Sequence, residues 1–248
     1  MSFEFLAPDA SQPANGVAPA RRSPIEWALR DQGAKFTERA GWRVVTDYGN
    51  TSAELAACRE SIGVADLSHL GKLELQAEPR IVSSIVAELT GGGTVALGKA
   101  TLHEGVWWCP MTMGRVLALS PPEKTAEVRD QLETAASAAD FASVLEMTSS
   151  YGSNVLAGPL SRETFARTMA LDLRPDHFAV GDFAPVSIAR TPGMVLRQGP
   201  DLYLHLFGAG FADYVWTVFV DAAKHLGGRA VGTAAVDAVA SAGEAVHA

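Results

Sequence analysis

Apolar residues recur along this chain with helical and alternating periods, and the elements they predict are mixed, with few strand–helix–strand alternations. Ser23-Pro24 opens a helical stretch with Ile25, Ala28 and Leu29 on one face and Gly33 as its stop. A second helix is predicted at 51–62, where Thr51-Ser52-Ala53-Glu54 fits a capping box and Leu55, Cys58 and Ile62 share a face. Residues 64–75 read as extended with an interruption at 68–71, and an amphipathic helix at 78–89 closes at Gly91-Gly92-Gly93. Short extended runs follow at 102–104, 106–108 and 115–119. Ser120-Pro121-Pro122-Glu123 repeats the capping pattern ahead of a helix bearing Val128 and Leu132. Strands are predicted at 144–148 and 153–157, a short helix at 161–171, and antiparallel strands at 184–190, 194–197 and 202–207. Gly199-Pro200-Asp201 marks a hairpin turn between the last two. The longest clear helix spans 210–226 and stops at Gly227-Gly228. Residues 1–22 read as a disordered tail; 229–248 end the chain weakly, with 244–248 a C-terminal tail. This order predicts an α+β protein with antiparallel sheets, its two intertwined lobes sharing residues 23–243 and dividing near 121–145.

Composition narrows the class. Of 248 residues, 48% are hydrophobic and 19% charged, enough to bury a core and to exclude general disorder. Twenty Lys and Arg against 28 Asp and Glu leave a net charge of −8. With no cluster of basic residues, neither nucleic acid nor an anionic membrane surface is an expected partner. Two cysteines, Cys58 and Cys109, exclude a disulfide scaffold. No apolar run approaches the roughly 20 residues of a membrane span. The first residues carry neither a basic start nor an apolar stretch, so the expectation is a soluble, cytoplasmic protein.

Few motifs carry chemistry by themselves. The six histidines, His69, His103, His177, His205, His225 and His247, form no metal-ligand spacing and read as surface or satisfied polar residues, so no metal is expected. Cys58 sits on an apolar helix face; Cys109 reads as a packing residue or, alternatively, a reactive thiol. Trp107-Trp108 offers a stacking surface for a planar heterocycle, although neighbours on a strand face opposite ways. The densest run of reactive residue types is Asp66-Leu67-Ser68-His69-Leu70-Gly71-Lys72, where Asp66 and Ser68 suit either chemistry or a local turn.

The run from Arg59 through Gly63-Val64-Ala65-Asp66-Leu67-Ser68-His69 to Lys72, preceded by Gly33-Ala34-Lys35-Phe36 and Ala40-Gly41-Trp42, resembles the N-terminal lobe of the glycine-cleavage T-protein (aminomethyltransferase). Gly158-Pro159, Leu171-Asp172-Leu173-Arg174-Pro175 and Phe211-Ala212-Asp213-Tyr214-Val215-Trp216 resemble its second lobe, in the form found in the gamma subunit of heterotetrameric sarcosine oxidase. The resemblance covers about 23–243. It implies a folate-binding fold with a ferredoxin-like lobe, tetrahydrofolate as cofactor, one-carbon chemistry on methylated amines, and a flavoprotein oxidase or demethylase as partner, with a homo-oligomer as another arrangement.

Departures from the family pattern weigh on function. The family's paired aspartates correspond to Trp108 and Cys109; no glutamate follows Arg190-Thr191; Ala240 and Ala242 stand where an arginine and a glutamate are expected, beside a matching Gly232, Ala235 and Asp237. No segment matches the family's C-terminal barrel lobe. Each unpaired group on a buried pteridine costs roughly 1–3 kcal/mol, about ten- to hundredfold in affinity. The replacement candidates are Asp66 and Glu104 as catalytic carboxylates, with Trp107, Trp108, Met111, Arg190 and Arg197 around the cofactor. The leading expectation is an accessory subunit of the sarcosine-oxidase-gamma kind. The alternatives are a stand-alone tetrahydrofolate-dependent methyl- or aminomethyltransferase with a non-standard site, and a non-enzymatic small-molecule-binding protein.

Overall fold

The computed structural model describes residues 20–247, with side chains as far as Ser241. Residues 1–19 of the expected tail lie outside the described residues, as does Ala248. Arg21, within that expected tail, is tied down: its N–H donates to the Gly41 carbonyl (2.8 Å) and its carbonyl accepts from the Arg43 N–H (2.9 Å).

In chain order the elements begin with α1 (Glu26–Asp31), the hairpin β1 (Lys35–Arg39) and β2 (Trp42–Asp47), α2 (Thr51–Glu60), and β3 (Gly63–Asp66). Then come β4 (Gly71–Gln76), α3 (Pro79–Leu89), β5 (Thr101–His103), β6 (Val106–Thr112), β7 (Arg115–Ser120), α4 (Thr125–Ser137) and β8 (Ser143–Glu146). The chain continues as β9 (Tyr151–Ala157), α5 (Ser161–Ala166), β10 (Phe183–Ile188), β11 (Thr191–Gly199) and β12 (Leu202–Gly208). It finishes with α6 (Ala212–Lys224), β13 (Arg229–Ala230) and α7 (Thr233–His247).

Two large sheets organise these elements. The first runs β10-β11-β12-β9-β3-β13, antiparallel except for β13, which lies parallel to β3. The second runs β5-β6-β7-β4-β8 and is antiparallel throughout. Its segment β4-α3-β6-β7-α4-β8, with strands in the spatial order β6-β7-β4-β8, is the ferredoxin-like arrangement expected for one lobe, extended by β5 at the edge. The second sheet is thus one continuous stretch of chain inserted between β3 and β9 of the first. Residues 121–145 lie wholly inside it.

Strand alternation sorts the core into three layers. Val64, Leu156, Tyr203 and Phe207 face α1, α5 and α6. The opposite face of that sheet (Ala65, Val155, Leu196, Leu204, Leu206) packs directly on Cys109, Leu117 and Leu119 of the second, with Cys58 of α2 and Val236 of α7 beside them. The outer face of the second sheet (Leu73, Leu75, Trp108, Val116) is covered by α3 and α4.

Several predicted elements shift for identifiable reasons. The capping box at Thr51 is displaced by one residue: Asn50 accepts from the Ala53 N–H (3.0 Å) and is the cap. Glu54 turns inward, its two oxygens accepting from the N–H groups of Tyr48 (2.7 Å) and Gly232 (2.9 Å). The Ser120–Glu123 box does not form, because Glu123 pairs with Arg39 and α4 starts only at Thr125. Arg190, expected at a strand end, lies in a two-residue turn with Ala189, both at positive φ (62° and 49°). The chain's weak ending at 229–248 is corrected to a short strand and the helix α7, whose Ala-rich sequence gives little apolar contrast. Among the described residues no helix is long and apolar enough to cross a membrane.

Glu54 is 1% exposed and joins the β2–α2 turn to the start of α7. Replacing it by alanine strands two buried N–H donors, at about 1–3 kcal/mol each. Glu54→Ala is therefore expected to lower the urea midpoint substantially, whereas Asn50→Ala, which removes an exposed cap, costs only about 1 kcal/mol.

Candidate functional site

The reactive run 66–72 is the first of two passages between the sheets; 147–150 is the second, and the two lie side by side. Leu67 N–H donates to the Ser153 carbonyl (2.8 Å), and Ser153 Oγ returns a bond to the Leu67 carbonyl (2.7 Å). Met147 N–H donates to the Lys72 carbonyl (2.7 Å), while Lys72 N–H donates to Thr148 Oγ1 (3.1 Å).

Within this seam Asp66, Ser68 and Lys72 are committed to local partners. Asp66 accepts from Ser68 Oγ (2.6 Å) and Ser68 N–H (3.3 Å). Its buried carboxyl is pushed above the ordinary value by desolvation, which the Ser68 and Ser23 hydroxyls oppose. Lys72 is fully buried, and its Nζ donates to the carbonyls of Ser68 (3.0 Å) and Leu70 (2.8 Å). Burial drives its pKa down to about 7, against the pull of Asp66. His69, 4% exposed, falls to about 3 through burial and then the charges of Arg39 and Lys72, so it is neutral. At the rim, Arg39 Nε donates to Glu123 Oε1 (2.5 Å), with Asp237 close enough to favour the arginine's charge. His69 and His205 are both buried, which corrects the surface reading for these two.

The other sequence candidates do not converge on Asp66. Glu104 lies exposed in the β5–β6 turn at φ 48°, its carbonyl accepting from Lys124 Nζ (2.6 Å). Trp107 and Met111 face the first sheet beside Cys109, whereas Trp108 faces α3 and α4. Arg190 is exposed in the β10–β11 turn. Arg197 is buried, and its guanidinium donates to the carbonyls of Phe178 (2.5 Å), Pro200 (2.6 Å) and Gly199 (3.2 Å) while stacking over Tyr203. Its donors hold the 199–200 turn. Cys109 is wholly buried in apolar surroundings that push its thiol well above the ordinary value, so it is not a reactive thiol. Among the described residues no group of three His, Cys, Asp or Glu gathers to hold a metal ion.

A model of the family described as the GCVT N-terminal domain matches residues 25–241. The chain belongs to this family. Among curated relatives, the aminomethyltransferase of Mycobacterium avium is 28% identical over 234 residues, which is 86% of this chain and 60% of that protein. A probable aminomethyltransferase of Halobacterium salinarum is 44% identical over 55 residues, 22% of this chain and 15% of the relative. The chain thus spans well under two thirds of the length of these relatives. Among solved structures, the glycine cleavage system aminomethyltransferase T of Bartonella henselae aligns over 87% of this chain and 60% of its own, with TM-score 0.70 and 16% identity. A chain of the heterotetrameric sarcosine oxidase of Corynebacterium sp. U-96 aligns over 72% of this chain and 93% of its own, with TM-score 0.61 and 21% identity. Both likenesses establish the fold.

The residues present do not fit tetrahydrofolate held in the family's manner. Of the two positions where the family resemblance calls for carboxylates, Cys109 is sealed between Leu117 and the first sheet's apolar face. Trp108 borders a pocket of about 30 Å³, room for water and not for a pteridine ring. Neither side chain offers the carboxylate acceptor that a pteridine edge would pair with.

The seam's charge has a measurable signature. Lys72 titrates near 10.5 in the unfolded chain and near 7 when folded, so between these values the unfolded state binds more protons and stability rises with pH. Between about pH 7 and 8.5 the slope from this group approaches ~1.4 kcal/mol per pH unit. The urea midpoint of the wild type is expected to rise over that interval and that of Lys72→Met to stay level; parallel rises in both would exclude Lys72 as the source.

Proposed function

We propose that this GCVT-family chain is an accessory subunit, of the sarcosine-oxidase-gamma kind, in a complex that demethylates methylated amines with tetrahydrofolate as one-carbon acceptor. In this reading a flavoprotein subunit carries the oxidation, and this chain supplies a structural lobe pair without gripping the folate by itself. The observation that carries the reading is the packed contact between the sheets. Cys109, one of the two positions where the family resemblance calls for carboxylates, is sealed with Leu117 and Leu119 against Leu196, Leu204 and Leu206.

One further observation supports it. Asp66, Ser68 and Lys72, the most reactive cluster, are turned to holding the two sheet passages, with no part of Lys72 exposed. A buried carboxyl and amine so engaged do not deprotonate a substrate they cannot touch.

Calorimetry with tetrahydrofolate on the chain alone tests the reading. The expected result is no saturable binding tighter than high micromolar. Saturable low-micromolar binding would replace this reading with that of a stand-alone transferase.

A further inference from the structure

Asp66, Asn154 and His205 stand in one cross-strand row over β3, β9 and β12, with Asp66 opposite Asn154 and Asn154 opposite His205. Directly opposed residues of antiparallel strands project from the same face. Here that face is the one covered by α1, α5 and α6. Asp66 completes its bonds at the seam. Its two neighbours in the row do not: Asn154 and His205 are both 0% exposed, and Oδ1 and Nδ2 of the asparagine and both ring nitrogens of the histidine meet no hydrogen-bonding group of the protein.

The surroundings restrict what could satisfy these atoms. The imidazole is walled by Phe207 (ring centroids 5.0 Å apart), Phe219 (5.2 Å) and Phe165 (6.4 Å). Burial lowers its pKa to about 3, so the ring is neutral and presents one donor and one acceptor nitrogen. An ion placed there would have three hydrocarbon rings and two neutral groups as company, which does not repay its loss of hydration. Space is also tight: a Cβ at Gly193 would stand 2.8 Å from His205 Nε2 and 2.9 Å from the Leu206 carbonyl. The occupant must be neutral, very small, and both donor and acceptor.

We propose that Asn154 and His205 enclose a buried hydration site of roughly one or two water molecules. Water donates twice and accepts twice, so it can accept from the amide or imidazole N–H and donate to the amide oxygen or the bare ring nitrogen. Native proteins rarely bury several polar atoms without a partner, and ordered water is the usual one. The site also fixes register: slipping β9 or β12 by one residue would carry an amide or an imidazole into the apolar contact between the sheets.

Diffraction from the wild-type chain at about 1.5 Å resolution tests this directly. The expected result is a density peak at hydrogen-bond distance from both the Asn154 amide and an imidazole nitrogen, about 2.7–3.2 Å. An empty gap, or a direct Asn154–His205 hydrogen bond with no solvent, overturns the proposal. Thermal melts give a second measure. Asn154→Leu and His205→Phe each remove one side of the water's cage and are expected to lower Tm by several degrees, while the double variant recovers most of the loss because no polar group is left there. Single variants that raise Tm would mean the atoms were dry and unpaired, against the proposal; should a single variant fail to fold, the wild-type density decides.

Discussion

The main chain passes between the sheets twice; the 66–72 passage is largely buried, while the 147–150 passage buries Thr148 and surfaces at Ser149 and Ser150. Buried backbone N–H and C=O groups must be paired, and a passage between sheets has no ladder to pair them. The two passages answer by pairing with each other, at Leu67 with Ser153 and at Lys72 with Met147. The carbonyls of Ser68 and Leu70, which neither sheet can reach, are met by the Lys72 ammonium. Burying an amine is costly, and the depressed pKa of Lys72 records that cost. Leaving two turn carbonyls without donors in the same place would cost as well, and would loosen the one point where the inserted sheet is attached at both ends.

That attachment lets the two sheets meet largely through hydrocarbon. Once their relative position is set at the 66–72 and 147–154 seam, the facing strands need only complementary shapes, and Leu117, Leu119, Leu196, Leu204 and Leu206 provide them. A second tie at the far side, where the Ala100 N–H donates to the Gly181 carbonyl (2.7 Å), Phe183 N–H to the Gly98 carbonyl (3.0 Å), and Lys99 pairs with Asp182, prevents the sheets from hinging about the seam. A ligand lodged between the sheets would have to separate this packing.

Legibility in the sequence follows the range of the forces involved. Helices at α2, α3, α4 and α6 and the β11–β12 hairpin were readable because capping, apolar period and turn residues act within a few positions. The interruption at 68–71 was readable as a break, but nothing local distinguishes a turn within one sheet from a passage to another. The β1–β2 hairpin escaped notice although Ala40-Gly41, at φ 47° and 77°, sits between two alternating runs; that dipeptide was the available signal. Glu54 and Glu123 satisfied a helix-capping spacing and were drawn away by partners 178 and 84 residues distant, Gly232 and Arg39. Family resemblance supplied the sheet architecture that periodicity alone could not, and its mismatches at Trp108 and Cys109 pointed to the positions that prove to be sealed. His205 and Asn154 had no sequence signal, since a lone polar residue on a strand shows its burial only when the sheet and its helices are assembled.

The contrast between the two faces of the first sheet carries the functional argument one step further. Its inner face meets mostly hydrocarbon, with Ser153 on its own side and the buried Lys72 and Glu74 on the facing sheet's inner side, while its outer face, under α1, α5 and α6, keeps the row Asp66, Asn154 and His205. Asp66 links this row to the passage, for its backbone ends β3 just before the passage and its side chain holds Ser68 at the start of that passage. Asp66, Ser68 and Lys72 thus hold the passage between the sheets in position.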